Sequence, residues 1–242
     1  MFFAGTRFHG NSSPLTDKGM QKTLGILMLD TEFIRPVGDM GNPDSWPFPV
    51  LLERVSGARA RATVEGTNRA VKPFLDAAQI LIERGAGCIT TTCGFLVRHQ
   101  QVLAAALPVP VATSSLLQYE TIQRSLGPFK YVGILSVQDS ALDADTRRCA
   151  NIPMNAAAFS LPQSSHFVRA ILDGSEPLRP VIAEQEWINF SQVVHANNPD
   201  IGAWLLECAN MPPYSHAISL ATGLPVYDGL TLGCQLQADA WQ

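Results

Sequence analysis

"GAGCITTTCGF" at residues 85–95 and "IGAWLLECANM" at residues 201–211 decide how this chain is read. Each is a strand-like run that breaks at a single cysteine, and the two cysteines, Cys93 and Cys208, stand 115 residues apart. Two further landmarks keep the same order and nearly the same spacing. "LGIL" at 24–27 returns 108 residues later as "VGIL" at 132–135, and "LPVPVAT" is echoed by "GLPVYDG", with Pro110 and Pro225 again 115 apart. Short apolar strands match by chance, but three ordered matches argue for an internal duplication.

Outward from these landmarks, strand-like and helix-like runs alternate. "TLGILML" is a short apolar strand that feeds "EFIRPVGDMGNPDSWPFP", a long loop dense in Pro and Gly. Val71, Phe74, Leu75, Ala78, Leu81 and Ile82 follow helical spacing, and Gly85 stops them. "CITTT", "VPVAT", "YVGILSV", "IGAWLLE" and "LPVYD" read as strands, and helical runs separate them. Such alternation predicts the α/β class, with parallel strands joined by helical crossovers. With the duplication, the expected architecture is two pseudo-symmetric lobes, each a small parallel sheet flanked by helices. They span 22–127 and 128–242 with the ligand cleft between them, and the polar residues 1–21 read as a mobile leader.

Composition narrows the function. With 46% hydrophobic residues the 242-residue chain can bury a large core, so a soluble globular protein is expected. A net charge of −4 with no basic run gives no electrostatic footprint for nucleic acid or an anionic membrane. No apolar run reaches membrane-spanning length and the N-terminal stretch lacks a signal-peptide core, so a cytoplasmic protein with a small-molecule partner is expected. A homo-oligomer fits the base rate for such proteins. The five cysteines are odd in number and contain no C-x-x-C pair, which speaks against a disulfide framework or a zinc site. "GAGC" and "GDMGN" match neither a Walker loop nor a dinucleotide fingerprint, so no cofactor is expected. Cys88, Cys149 and Cys234 are read as structural, and His99, His195 and His216 as surface residues without a catalytic spacing.

Ligands of open α/β sheets bind beyond the carboxyl ends of strands. Cys93 and Cys208 both sit there, each ahead of a helix, and a pseudo-twofold would bring them together across one cleft. A helix N-terminus favours the thiolate. One thiolate and one thiol on opposite faces of a carbon can remove a proton from one side and return one from the other, which inverts a stereocentre. The enolate-like charge needs preorganised donors, and Thr92, Gly94, Ser114 and Asn210 are the candidates. Asp30 and Thr31 end the first strand and point at the same cleft, where Asp30 would orient a thiol, bind an ammonium or pin a loop. Tyr214, after Pro212 and Pro213, lines or covers the cleft mouth.

These segments, with "SSLLQ", "LLECANMPPY" and "ATGLPVYD", resemble the cofactor-independent aspartate/glutamate/hydantoin racemase superfamily from about residue 24 to 232. The resemblance implies two α/β lobes with one cysteine each, here Cys93 and Cys208, acting as an acid/base pair at the α-carbon of a carboxylate, amino acid or hydantoin. Amino-acid racemases of the superfamily follow the first cysteine with Asn-Thr, where this chain has Gly94-Phe95. They follow the second with Thr and then His or Glu, where it has Ala209-Asn210. Phe95 therefore suggests a more apolar pocket, suited to a hydantoin or a bulky carboxylate. The superfamily includes arylmalonate decarboxylases, which keep only the second cysteine, and maleate isomerases, which keep both and use one as a nucleophile. The expectation is thus a racemase or epimerase, with a maleate-type isomerase, a decarboxylase-like enzyme or a non-catalytic binding protein as alternatives.

Overall fold

The computed structural model describes residues 23–67 and 70–240, so the expected leader lies outside the described residues. In chain order the first lobe runs β1 (Thr23–Leu29), β2 (Val50–Val55), α1 (Ala60–Val64), α2 (Lys72–Glu83), β3 (Ala86–Thr91), α3 (Gln100–Ala106), β4 (Val111–Ala112) and α4 (Tyr119–Ser125). The rest of the chain runs β5 (Tyr131–Ser136), α5 (Ala144–Cys149), β6 (Ala158–Ser160), α6 (His166–Val168), α7 (Pro180–Asn197), β7 (Ile201–Leu206), α8 (Ser215–Thr222), β8 (Val226–Tyr227) and α9 (Gly229–Asp239). A π-helical turn, Arg169–Asp173, prolongs α6. The strands form two four-stranded sheets in the orders β2-β1-β3-β4 and β6-β5-β7-β8, parallel throughout. The α/β class with twin parallel sheets is therefore as the sequence predicts.

The likeness of the sheets reaches their irregularities. The β1–β3 register slips between Thr23 and Leu24, and the β5–β7 register slips at the equivalent place, between Tyr131 and Val132. Ile89 N–H donates to the Pro110 carbonyl and Trp204 N–H to the Pro225 carbonyl, both at 2.9 Å. The paired glycines have a common cause. A Cβ on Gly25 would lie 2.6 Å from Ile89 Cδ1, and one on Gly133 would lie 2.6 Å from the Trp204 ring. In each lobe the central strand must be bare where the next strand's large side chain crosses it.

Edge strands β2 and β6 and the short helices α1 and α5 were not legible in the sequence; β2 is half-exposed and follows the Pro-rich loop directly. His99 is a correction, because it is buried against the Phe74 ring, 5.6 Å between centroids, rather than on the surface. The last helix, α9, packs on the first sheet. Gly233 lets the Trp46 ring approach, and Leu230 and Leu236 cover Leu24, Ile26, Met40 and Cys88. Asp228 and Thr231 cap α9 reciprocally, side chain to backbone, at 2.9 Å each. No described helix is long and apolar enough to cross a membrane.

Candidate active site

Each thiol lies two residues beyond the last paired residue of its strand. Thr92 N–H extends the first sheet by donating to the Leu27 carbonyl at 2.9 Å, and Glu207 N–H does the same to Leu135 at 2.8 Å. The chain then leaves the sheet through Cys93 into a 3-10 turn, Gly94–His99, and through Cys208 toward the turn Pro212–Tyr214 that starts α8. Both cysteines are 7% exposed. They are close enough for a charge on Cys93 to raise the Cys208 thiol.

The surroundings of the two sulfurs differ. The backbone N–H groups of Phe95 and Leu96 favour the thiolate form of Cys93, and Leu96 N–H donates to the Cys93 carbonyl at 3.1 Å. Burial nonetheless raises this thiol to about 12, with the Glu207 charge pushing the same way and Arg98 opposing. Cys208 instead points its S–H at Asn210 Oδ1, 3.5 Å away. Asn210 Nδ2 donates to Asp39 Oδ2 at 2.6 Å, and Asp39 Oδ1 accepts from Arg35 at 2.7 Å and from Gly41 N–H at 2.8 Å. Because Nδ2 faces a carboxylate, the Asn210 amide is oriented with its oxygen toward sulfur. Burial holds Cys208 well above its ordinary value; Glu207, Cys93 and Asp39 push it further, and the Asn210 N–H opposes them.

Two groups complete the site. Glu207, 2% exposed, accepts from the Ser136 hydroxyl at 3.0 Å, and burial lifts its carboxyl to about 7. The Tyr214 hydroxyl is buried without a hydrogen-bond partner among the described residues, and it is raised by burial and then by the nearby charges of Asp39 and Cys208. A cleft of about 760 Å³ separates the lobes, walled on one side by Asp30, Thr31 and Phe33 and on the other by Ile171, Leu172 and Asp173. Glu186 of α7 holds the second wall by accepting from the N–H groups of His166 and Phe167 at 2.7 and 2.9 Å. Arg35 joins cleft to site: its guanidinium lies 4.6 Å from the Phe33 ring centroid while also binding Asp39.

No family model matches the chain. It is 31% identical over 217 residues to a dimethylsulfoniopropionate lyase of Durusdinium sp. clade D, an alignment spanning 86% of this chain and 71% of that protein. The chain belongs to this enzyme family. Dimethylsulfoniopropionate lyase 7 of Emiliania huxleyi is 26% identical over 220 residues, covering 86% of this chain and 64% of the relative. In fold the chain is similar to allantoin racemase from Pseudomonas fluorescens, with TM-score 0.59 at 16% identity over 89% of each chain. It is also similar to unliganded arylmalonate decarboxylase, with TM-score 0.57 at 13% identity over 91% of this chain and 92% of that one. This member of the lyase family therefore has the Asp/Glu racemase fold, as the sequence resemblance implies.

The structure gathers some of the sequence-predicted residues of this family member and disperses others. Cys93, Cys208, Asn210 and Tyr214 are grouped with Gly94, which lies against Glu207. Thr92 is engaged structurally, its hydroxyl accepting from Leu29 N–H at 3.1 Å, and Ser114 caps the next turn by accepting from Leu116 N–H at 3.1 Å. Asp30 and Thr31 line the large cleft. Asp30 pins the β2–α1 turn through Gly57 N–H at 3.0 Å, and Thr31 accepts from Arg35 at 2.8 Å. Phe95 packs in the core with Arg98 5.4 Å from its centroid and borders a separate cavity of about 210 Å³. Asp39, Arg35 and Glu207 were not singled out in the sequence. A carboxylate within the Pro-rich loop and an acid ending an apolar strand were the available signals.

Proposed function

We propose that the chain is a cofactor-independent lyase that removes a proton α to a carboxylate and expels a leaving group from the β-carbon, with dimethylsulfoniopropionate as substrate. The observation that carries this reading is the kinship with the Durusdinium lyase, 31% identical over most of both chains. The unequal hydrogen bonding of the two thiols supports it. Cys93, whose thiolate the Phe95 and Leu96 N–H groups favour, acts as the base and takes the α-proton. The electron pair left on carbon forms the double bond, the carbon–sulfur bond breaks toward sulfur, and the products are dimethyl sulfide and acrylate. The leaving group departs neutral, so no acid is needed on it. An entering sulfonium also favours the Cys93 thiolate, because an opposite charge nearby stabilises the ionised form. Cys208, beside Asn210 and Asp39, supplies an S–H donor by turning from Asn210 Oδ1 to the substrate carboxylate as it takes on enolate character, and the Tyr214 hydroxyl, without a partner among the described residues, supplies a second.

A second reading, racemisation or epimerisation of a small carboxylate, is favoured by the two thiols at equivalent strand ends. The experiment that separates them is headspace chromatography for dimethyl sulfide alongside proton NMR in deuterated water. The panel holds dimethylsulfoniopropionate and single enantiomers of aspartate, glutamate, allantoin and substituted hydantoins. Elimination predicts dimethyl sulfide and acrylate in equal amounts, loss of activity in Cys93→Ser, and a residual rate in Cys208→Ser. Inversion of an enantiomer, abolished equally by both substitutions, would sink the lyase reading.

A further inference from the structure

The residue before the thiol is Thr92 in the first lobe and Glu207 in the second, and their backbones make equivalent bonds. Their side chains hold the same post. The Thr92 hydroxyl accepts from Leu29 N–H at 3.1 Å; the Glu207 carboxylate accepts from the Ser136 hydroxyl at 3.0 Å, and the N–H of Val137, the residue matching Leu29, favours its ionised form. A threonine therefore suffices to finish such a strand end. The glutamate adds reach and a titratable charge. Its reach brings the carboxyl against Gly94, the residue after Cys93, where a Cβ would lie 2.3 Å from Oε1 and 2.4 Å from the Glu207 carbonyl oxygen. Among the described residues no basic side chain forms an ion pair with it. The charged and titratable groups that face it are Cys93 from the loop after β3, Cys208 from the loop after β7, and Arg98 from the 94–99 turn. Arg98 is itself committed to the carbonyls of Thr63, Val64 and Ala141.

We propose that Glu207 is the proton acceptor of the thiol pair, a positioning residue that takes the Cys93 proton and so makes the thiolate. The proposal rests on Cys93 being the working base. In the step the S–H bond breaks, an O–H bond forms on the Glu207 carboxylate, and the electron pair stays on sulfur, so the buried site keeps one negative charge throughout. Part of what holds Cys93 near 12 is repulsion from ionised Glu207, and that part vanishes as the carboxylate takes the proton. Such assistance by a carboxyl poised near the working pH is the usual means of activating a nucleophile or base whose own ionisation is unfavourable.

The test compares wild type with Glu207→Gln and Glu207→Thr, the latter being the residue the first lobe uses at this post. Folding is checked by circular dichroism. Iodoacetamide alkylation of Cys93 is followed by peptide mass spectrometry from pH 5 to 9, and dimethyl sulfide release is measured in parallel. Wild-type alkylation is expected to rise through an inflection near pH 7 and then level. Both variants should lose that inflection and alkylate at least about tenfold more slowly at pH 8, and dimethyl sulfide release, where wild type shows it, should fall about 10²- to 10⁴-fold. Faster alkylation in the variants would reduce Glu207 to a charge that holds the thiol up, and an unchanged profile would reduce it to a strand-end brace; either overturns the proposal. Alkylation requires no substrate, so an error in the substrate reading leaves this result standing.

Discussion

Replacing Glu207 by Gln should make the fold more stable, and only above pH 5. Burial lifts this carboxyl from an ordinary 4.5 to about 7. The folded state thus binds the proton more tightly than the unfolded state. For a group shifted this way, the stability contribution is fully present below the unfolded pKa and is lost as pH rises through the folded one. The window is therefore about pH 4.5 to 7. At about 1.4 kcal/mol per unit, the loss reaches about 3 kcal/mol by pH 8. Gln mimics the protonated carboxyl, keeps an oxygen for the Ser136 and Val137 donors, and has no charge to desolvate. The assay is urea denaturation at half-unit steps from pH 4.5 to 8.5. The two stabilities should differ by a constant offset at the acid end and diverge by about 3 kcal/mol at the alkaline end, equivalent to roughly 6–12 °C in Tm for a chain of this size. Parallel curves across the whole range would refute the reasoning, because they would mean that Glu207 titrates as it does in water.

Gly94→Ala should cost about 1–3 kcal/mol in thermal unfolding, since the added methyl meets a backbone carbonyl oxygen at 2.4 Å as well as the Glu207 carboxylate. Asp39→Ala leaves the Arg35 guanidinium without its buried partner and frees the Asn210 amide; it should cost about 3–5 kcal/mol in denaturant titration, while Asp39→Asn should lose less. Ser115→Ala removes the hydroxyl that donates to the Leu206 carbonyl at 2.7 Å across the lobes, and should lower stability by about 1 kcal/mol with Cys93 alkylation unchanged.

Much of the fold was legible because the duplication repeats backbone requirements as well as hydrophobicity. Gly25 and Gly133 are bare for the same steric reason, and Pro110 and Pro225 accept the same bond, so "LGIL/VGIL" and the two proline segments mark equivalent points of two sheets. What the sequence hid depends on contacts between distant segments. "VLLERV" became edge strand β2 although proline precedes it directly, because an edge needs ladder bonds on one side only. After Cys93 a 3-10 turn, Gly94–His99, precedes α3 and buries His99 instead of exposing it. Asp39 reaches the site only through a tertiary bond to Asn210, 171 residues away. Glu207 was in view within "WLLEC", but its meaning emerges only when the strand ends are superimposed and it falls on Thr92.

The duplication also bears on the kind of chemistry. A two-sided proton exchange asks both lobes for comparable acid/base equipment, because either thiol must serve as base for one enantiomer. Here the lobes agree in backbone and diverge at the side chains around sulfur. The N–H groups of Phe95 and Leu96 favour the Cys93 thiolate, whereas Cys208 has one such N–H, from Asn210, and points its S–H at the Asn210 amide oxygen, fixed by a buried Arg–Asp pair. Thr92 is neutral, and its counterpart Glu207 is a buried acid that lies against Gly94, the residue after the first lobe's thiol. Under the proposed roles this gives one thiol a proton acceptor and leaves the other a donor. An elimination needs one base and returns no proton to carbon, so it places no demand on the lobes to stay alike. The divergence of the two strand ends is the asymmetry that a one-way reaction tolerates and a racemisation would oppose.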